Sequence, residues 1–193
     1  VILKDCNINM KQGKVIGICG KSGCGKSTLL KLLMRFWDVN KGNIKISEEN
    51  VKEIPTKTLR NTQSYVTQET ELFHDSIANN IAIGKPGAAR EEIIKAAQKA
   101  SIHDMIMSLP NGYDTEVGEL GDTLSGGEKQ RIGIARAFLH DEPTSNLDSL
   151  NEGIILKSLK EESKGRTVVL VSHRESTMGI ADDVYHMDAG RVS

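Results

Sequence analysis

Apolar positions along this chain predict strands that alternate with helices. Residues 15–19 (VIGIC) and 168–171 (VVLV) are apolar runs of strand length. After the first run and a Gly-rich stretch, apolar residues recur at helical spacing through Leu29, Leu33 and Phe36, with Trp37 beside them. We therefore expect a strand, a tight turn and then a helix that is buried over a wide face.

The middle of the chain has helical patterns. Residues 90–97 are amphipathic, and residues 102–109 form a short apolar segment that stops at Pro110. Ser125 and Glu128 precede a further apolar pattern with the spacing of a capping box, in which each side chain bonds the other residue's backbone N–H. We expect a helix to begin directly after Ser125.

Composition narrows the class of protein. The 193 residues are 38% hydrophobic and 26% charged, which is typical of a folded unit that is itself soluble and excludes disordered and fibrous chains. The 25 Lys and Arg balance 26 Asp and Glu, so no positive field indicates nucleic acid as a partner. The three Cys residues have no metal-binding spacing and fit a reducing compartment, and no window has the apolar length of a membrane helix. Because the chain starts with Val, we expect a piece of a longer protein.

The Gly-rich stretch after the first predicted strand matches a phosphate-binding pattern. Gly20, Gly25, Lys26 and Ser27 occupy the fixed positions of G-x-x-x-x-G-K-[ST]. In that pattern the glycines allow a tight turn whose backbone N–H groups, with the start of the next helix, surround phosphates. Lys26 is predicted to pair the β- and γ-phosphates, and the Ser27 hydroxyl to bind Mg²⁺. Cys24 occupies a free position of the loop, where packing is favoured over redox chemistry.

A pair of glycines begins the helix predicted after Ser125. Gly126 and Gly127 occupy its first turn, although Gly is a poor helix former. A capped helix alone does not explain them. They are explained if something must approach the backbone closely, and an anion at the positive end of the helix dipole is the natural candidate.

These motifs, taken in order, resemble those of ATP-binding cassette (ABC) proteins over nearly the whole chain. The matching segments are the P-loop at 20–28, the Q-loop at Gln68, the LSGG[QE] motif at 124–130, the Asp-Glu pair at Asp141 and Glu142, the D-loop at 145–148 and the switch histidine at His173. Residues 66–69 with 72–73, and residues 112–119 before the LSGG motif, resemble the exporter branch, in which the ATPase is fused to a transmembrane domain.

The resemblance implies an α/β fold, with a P-loop NTPase core and a mainly helical subdomain. The core is expected over about 1–69 and 135–193, and the helical subdomain, which carries the LSGG motif, over about 70–134. The chain would then be a single nucleotide-binding domain that is truncated at both ends and lacks its transmembrane domain.

The resemblance also implies ATP and Mg²⁺ as cofactors and a role for each site residue. Glu142 would position or deprotonate the attacking water, and His173 would contact the γ-phosphate. Gln68 would bind Mg²⁺ and report on the transmembrane partner, with Asp141 and Ser27 as further Mg²⁺ ligands. The residues expected to contact the nucleotide are Gly20, Ser22, Gly23, Cys24, Gly25, Lys26, Ser27, Thr28, Ser125, Gly126, Gly127 and Asp148.

The implied partners are a second nucleotide-binding domain and a transmembrane domain. The two nucleotide-binding domains, identical or different, would form a head-to-tail dimer with two ATP molecules between them. Lys26 and Ser27 of one subunit would hold an ATP whose γ-phosphate is completed by Ser125 and Gly127 of the other subunit.

The segment before the Asp-Glu pair departs from the family pattern. An apolar strand is expected directly before the Asp-Glu pair, but residues 137–140 (AFLH) join Asp141 about seven residues early. Loss of about five buried aliphatic side chains would cost roughly 7–15 kcal/mol, as much as the net stability of a typical domain. We hypothesise that the sequence as written omits residues that the protein has.

The predicted function is ATP binding and hydrolysis that drives export across a membrane, with the domain at the cytoplasmic face of the cell inner membrane or of an organelle membrane. ABC-type ATPases of DNA repair insert a long coiled coil between the motifs, whereas Lys26 and Ser125 are 99 positions apart. Translation-factor relatives carry two cassettes and a charged linker, which a piece of a longer chain does not exclude. The remaining alternative is a dimer clamp that binds ATP with little turnover, against which Glu142 and His173 argue.

Overall fold

The described part of the chain forms two compact units. The computed structural model describes residues 2–66, 70–120, 124–140, 144–148, 160, 166–173 and 175–192. The first unit contains the described residues up to 65 and those of 144–148 and 166–192, and the second contains those of 66–140 and residue 160. The second unit reaches beyond the predicted 70–134 because its last helix continues unbroken to Leu139.

The first unit is built on a mainly parallel sheet. The described strands of the chain are β1 (Val15–Gly20), β2 (Lys45–Ile46), β3 (Glu49–Asn50), β4 (Gln63–Val66), β5 (Thr144–Asp148), β6 (Thr167–Ser172), β7 (Asp183–Asp188) and β8 (Arg191–Val192). Six of them form one sheet in the order β4-β5-β6-β1-β7-β8, and β2 pairs with β3. Because β5, β6, β1 and β7 are parallel, their carboxyl ends share one edge of the sheet, which is where such sheets bind ligands.

Strand β1 lies at the centre of the core of this unit, as its apolar sequence predicts. Residues 15–19 are all buried, and β1 is flanked by the equally buried residues 168–171 of β6. On one face of the sheet, Ile18 packs in a cluster with Leu29 and Leu30 of helix α1 (Lys26–Leu33). Both predicted strands are confirmed, and the apolar contact fixes the start of α1 at the end of β1. Helix α2 (Thr56–Thr62) and a 3-10 helix (Glu175–Ile180) complete the unit.

Helix α1 ends earlier than its apolar spacing predicts. Arg35 adopts the left-handed conformation (φ 50°), and the N–H groups of Arg35 and Phe36 donate to Leu32 O and Lys31 O. These are the two bonds of a Schellman motif, which ends a helix. Phe36 and Trp37 therefore lie beyond the helix with 47% and 54% of their surface exposed, and the predicted continuation of its buried face through them is wrong.

Strand β5 consists of residues for which the sequence predicts a loop. Thr144–Asp148 pairs with β6 in parallel, from Thr144 beside Thr167 to Asp148 beside Val171. The sequence TSNLD is polar for a strand inside a parallel sheet. It fills that position because the chain has no apolar run directly before Asp141. The residues that resemble a D-loop thus have strand conformation in this structure.

The second unit is helical, in agreement with the predicted subdomain. Its helices are α3 (Ile77–Ala82), α4 (Arg90–Lys99), α5 (His103–Ser108), α6 (Val117–Leu120) and α7 (Gly126–Leu139), with a 3-10 turn at Gly112–Asp114. Helix α7 packs against α3 and α4. The amphipathic pattern of α4 is confirmed, because Ile93, Ala96 and Ala97 are its buried residues. Among the residues that the structure describes, no helix has the length and apolar character needed to cross a membrane.

Tyr113 anchors the 3-10 turn of the helical unit. Its ring is buried, its hydroxyl lies 2.9 Å from Nδ1 of His103, and the Arg90 guanidinium lies 5.0 Å above the ring. Arg90 also donates two bonds to the Asp114 carboxylate, at 2.9 and 3.0 Å. Burial raises the pKa of Tyr113 to about 12, and the nearby charge of Arg90 opposes this rise.

The raised pKa of Tyr113 predicts a loss of stability at alkaline pH. Between pH 10 and 12 the unfolded chain releases the phenolic proton while the folded chain retains it, so the free energy of unfolding falls as pH rises. Tyr113→Phe should remove this component and leave a shallower decline than in the parent. Urea unfolding of both proteins at pH 9 to 12 measures it, and identical slopes would show that Tyr113 ionises equally in both states.

Candidate nucleotide-binding site

The phosphate-binding pattern forms the turn between β1 and α1. β1 ends at Gly20, α1 begins at Lys26, and Gly25 between them has φ 108° in the left-handed region. A side chain at Gly25 would be strained in that conformation, and its Cβ would also lie 2.7 Å from Leu3 Cδ2. At Gly20 a Cβ would collide with the Met187 carbonyl oxygen of β7. The two glycines of the pattern are therefore required by the backbone path of the turn.

The first N–H groups of α1 are available to a ligand. Gly25, as the N-cap, provides no side-chain acceptor. Within the described residues, the structure gives no acceptor to the N–H groups of Gly25, Lys26, Ser27 or Thr28. Unpaired N–H groups at a helix start, together with the positive end of the helix dipole, form an anion site. This end of α1 can therefore bind phosphate oxygens.

The Lys26 side chain is held over the loop by backbone carbonyls. Its Nζ donates to Gly20 O at 2.7 Å and to Lys21 O at 2.8 Å, and lies 3.7 Å from Cys24 Sγ. An ammonium group has three donors, and the third is directed at Cys24 Sγ, which is only a weak acceptor. The loop thus fixes a positive charge beside its own open N–H groups, which suits a polyphosphate.

The remaining loop residues have separate positions. Ser22 and Gly23 are exposed at the tip of the turn, and Cys24 is buried in the apolar cluster with Met187, so packing explains Cys24 as predicted. The Ser27 hydroxyl is on the exposed first turn of α1. As a neutral oxygen beside the proposed phosphate site, it suits Mg²⁺, although no group of three or more metal-ligating side chains is found among the described residues.

His173 leaves the sheet at the same edge as the phosphate loop. In the parallel register of β1 and β6, Cys19 is paired with Ser172, so Gly20, the last residue of β1, and His173, directly after β6, lie at the carboxyl ends of neighbouring strands. The side chain of His173 is exposed. This position fits a contact with a nucleotide bound at the loop, and that contact stays a prediction.

The LSGG motif begins α7 with the predicted capping box. Glu128 N–H donates to Ser125 Oγ at 3.3 Å, and Ser125 N–H donates to Glu128 Oε2 at 2.7 Å. Ser125 and Gly126 are exposed, and a Cβ at Gly126 would meet no described atom within 4 Å. Packing inside this unit therefore does not explain the glycine, which favours a role in contacting a ligand from outside the unit.

Comparison with known proteins decides the family. The model of the ABC transporter family matches residues 3–150. The chain belongs to this family. It is an ABC ATPase domain with the P-loop NTPase fold, as its motifs predict, and ATP is the nucleotide of such domains.

The similar proteins are named as ATP-binding/permease proteins or as an ABC exporter. The chain is 55% identical to a protein of Haemophilus influenzae named as an ABC transporter ATP-binding/permease protein, covering 100% of this chain and 36% of that protein. It is 46% identical to one of Staphylococcus aureus named as a multidrug export ATP-binding/permease protein, covering 99% and 34%. A solved bacterial Atm1-family ABC exporter with ATP bound matches with a TM-score of 0.92 at 39% identity, covering 100% of this chain and 35% of that chain.

The chain therefore spans about a third of the length of the curated relatives that it matches. The alignment with the Haemophilus protein extends over 199 residues, whereas this chain has 193, so the relative has residues at positions where this chain has none. This difference agrees with the short segment noted before Asp141.

Several residues that the ABC resemblance assigns to the site are not described by the structure. Gln68, Asp141 and Glu142 lie outside the described residues, and their roles stay predictions. Asp148 is the last residue of β5, at the carboxyl edge of the sheet, and its contact with nucleotide also stays a prediction.

A buried polar link that the sequence motifs do not indicate lies inside the helical unit of this ABC domain. The fully buried side chain of Asn80 accepts from Phe73 N–H and donates to Phe73 O and Ser76 O. Arg136 of α7 donates to Asn80 O at 2.7 Å, to Asn80 Oδ1 at 2.9 Å and to Glu71 O at 3.0 Å. This link joins α7, which begins with the LSGG motif, to residues 71–76. The two Asn residues of the otherwise apolar helix α3 were the signal for it, and Asn80 is the buried one.

Proposed function

We propose that this chain binds Mg·ATP at its phosphate loop and hydrolyses it as the ATPase domain of a membrane exporter. The observation that carries the proposal is the row of open N–H groups at the start of α1 beside the anchored ammonium group of Lys26. The names of the similar proteins, which join an ATP-binding part to a permease or are exporters, support the link to export.

The residues of the loop act by positioning and by neutralising charge. Phosphoryl transfer to water needs little covalent help from the protein, so an arrangement that holds the phosphates supplies most of the catalysis. The N–H groups of residues 25–28 orient the phosphates, and Lys26 compensates their charge. Ser27, Gln68 and Asp141 would hold Mg²⁺, which neutralises phosphate charge when bound. Glu142 orients or deprotonates the water, and His173 contacts the γ-phosphate.

The proposed partners are a second nucleotide-binding domain and a transmembrane domain. Ser125 and Gly127 complete the γ-phosphate site of the other subunit, and the exposure of Ser125 and of the neighbouring Gly126 supports such a contact. The transmembrane domain would lie in the part of the relatives' sequences that this chain does not cover. The domain would then work at the cytoplasmic face of the membrane.

Ser125→Arg tests whether the ATP site is shared between two subunits. Because Ser125 is exposed, the larger side chain fits the separate domain, so ATP affinity should stay within about threefold of the parent value. ATP-dependent dimer formation, measured by light scattering, should be lost because the side chain fills the space of the partner's phosphate. Ser125→Ala is the matched control, since it loses the same cap at a cost of about 1 kcal/mol without adding bulk. A Ser125→Arg protein that dimerises like the parent would contradict a shared site.

A further inference from the structure

Cys19 and His186 form a thiol–imidazole pair that the nucleotide site does not use. They are register partners on the neighbouring strands β1 and β7, so their side chains lie on the same face of the sheet. Cys19 Sγ lies 3.0 Å from Nδ1 of His186 and 3.7 Å from the Tyr185 carbonyl oxygen, so the imidazole is the nearer acceptor of the thiol proton. No motif of the sequence indicates this pair, which is 167 positions apart.

The pair has the chemistry of an activated thiol. A thiolate is the nucleophile of cysteine chemistry, and an imidazole within hydrogen-bond distance can take the thiol proton. Cys6 provides a contrast within the same chain, because its Sγ donates to the carbonyl oxygens of Lys4 and Gly190, which cannot take its proton as an imidazole can. Cys19 itself is 4% exposed, but His186 is exposed and Val184, on the same face of β7, is 39% exposed. Solvent therefore reaches the imidazole of the pair, which lies 3.0 Å from the buried thiol.

Cys19 also directly precedes the phosphate loop. Gly20, the next residue, is closely packed, since a Cβ there would collide with Met187 O and lie 2.9 Å from Cys24 Sγ. The carbonyl oxygen of Gly20 is one of the two that hold Lys26 Nζ. A group added to Cys19 must displace the end of β1 from β7, and a packed interior transmits such a displacement instead of absorbing it.

We propose that Cys19 is a modification site for small disulfides, activated by His186, and that its occupancy prevents ATP binding. His186 takes the proton of the Cys19 thiol, and the thiolate attacks one sulfur of the disulfide. A new S–S bond forms as the reagent's S–S bond breaks, and the leaving thiolate takes the proton from His186. Cys19 is oxidised, and half of the reagent is reduced to a thiol. The effect on ATP rests on the function proposed above, whereas the reaction of the thiol does not.

Glutathione disulfide tests the reaction directly, because trypsin separates the three thiols. Cleavage after lysine places Cys6 on peptide 5–11, Cys19 on peptide 15–21 and Cys24 on peptide 22–26. Mass spectrometry of unreduced digests of the folded chain should show glutathione on peptide 15–21. His186→Gln should slow that modification by at least about tenfold. The rate at Cys6 should stay unchanged, as the internal control for folding. The proposal would be overturned if Cys19 stays unmodified while Cys6 reacts. It would also be overturned if Cys19 reacts at the same rate in His186→Gln as in the parent.

ATP titration of the same samples tests the consequence. The unmodified chain is titrated first, so a failure of the proposed ATP binding is seen before any thiol reacts. Loss of ATP binding should follow the modification of peptide 15–21 over time, be delayed in His186→Gln, and be reversed by dithiothreitol. The proposed control of ATP binding would be overturned if ATP still binds after Cys19 is modified. It would also be overturned if the loss of ATP binding follows only the modification of peptide 22–26.

Discussion

Lys26→Ala is expected to weaken ATP binding by at least about a hundredfold, which corresponds to about 2.7 kcal/mol. The ammonium group that Gly20 O and Lys21 O hold over the loop is lost, and the phosphates then face only backbone N–H groups. The far-UV circular dichroism spectrum should stay unchanged, because α1 keeps its buried Leu29 and Leu30. Calorimetric titration of the chain with ATP gives the affinity.

Lys31→Ala is the matched control for this variant. It removes the same charge from the same helix, but the Lys31 ammonium group lies over the ring of Trp37, outside the phosphate loop. Its ATP affinity should stay within about threefold of the parent value. Equal losses in both variants would indicate a general effect of charge, and an unchanged affinity of Lys26→Ala would refute phosphate binding at this loop.

Glu142→Gln is expected to lower the rate of ATP hydrolysis by about 10²–10⁴-fold while ATP binding persists. The amide keeps the shape of the side chain but removes the charge that orients water or accepts its proton. An ATP-stabilised dimer should accumulate, because the nucleotide is bound but not consumed. Phosphate release by the intact protein that contains this chain measures the rate.

Glu91→Gln controls for the loss of a carboxylate elsewhere. Glu91 is exposed on α4 in the helical unit, and its replacement should leave the rate within about twofold of the parent rate. If Glu142→Gln hydrolyses ATP as fast as Glu91→Gln, then Glu142 is not the catalytic carboxylate and the role implied by the family resemblance does not apply to this chain.

Local sequence predicts the start of the site better than the elements far from it. The strand-turn-helix around residues 15–33 and the Ser125–Glu128 capping box both arise from neighbours in the chain, and both are confirmed. The end of α1 was not predictable from apolar spacing. Arg35 takes a left-handed conformation that its own side chain supports by donating to Val51 O and Ile54 O, 16 and 19 positions away.

Pairing between strands that are distant in the sequence explains the other features that the local sequence does not predict. The polar segment TSNLD has little strand propensity of its own, and it becomes β5 because the apolar strand β6 offers it a full set of backbone partners. The neighbouring positions of Cys19 and His186 likewise depend on the register between β1 and β7. No local sequence pattern predicts either pairing.

The measurement that most directly tests ATP binding at this loop is an amide ¹H–¹⁵N NMR titration of the chain with Mg·ATP. The N–H groups of Gly25, Lys26, Ser27 and Thr28, for which the described structure shows no acceptor, should have the largest chemical-shift changes. The amides of α4, in the helical unit, should change little. If the signals of residues 25–28 stay fixed while ATP binds, the nucleotide is held elsewhere and the central claim is contradicted.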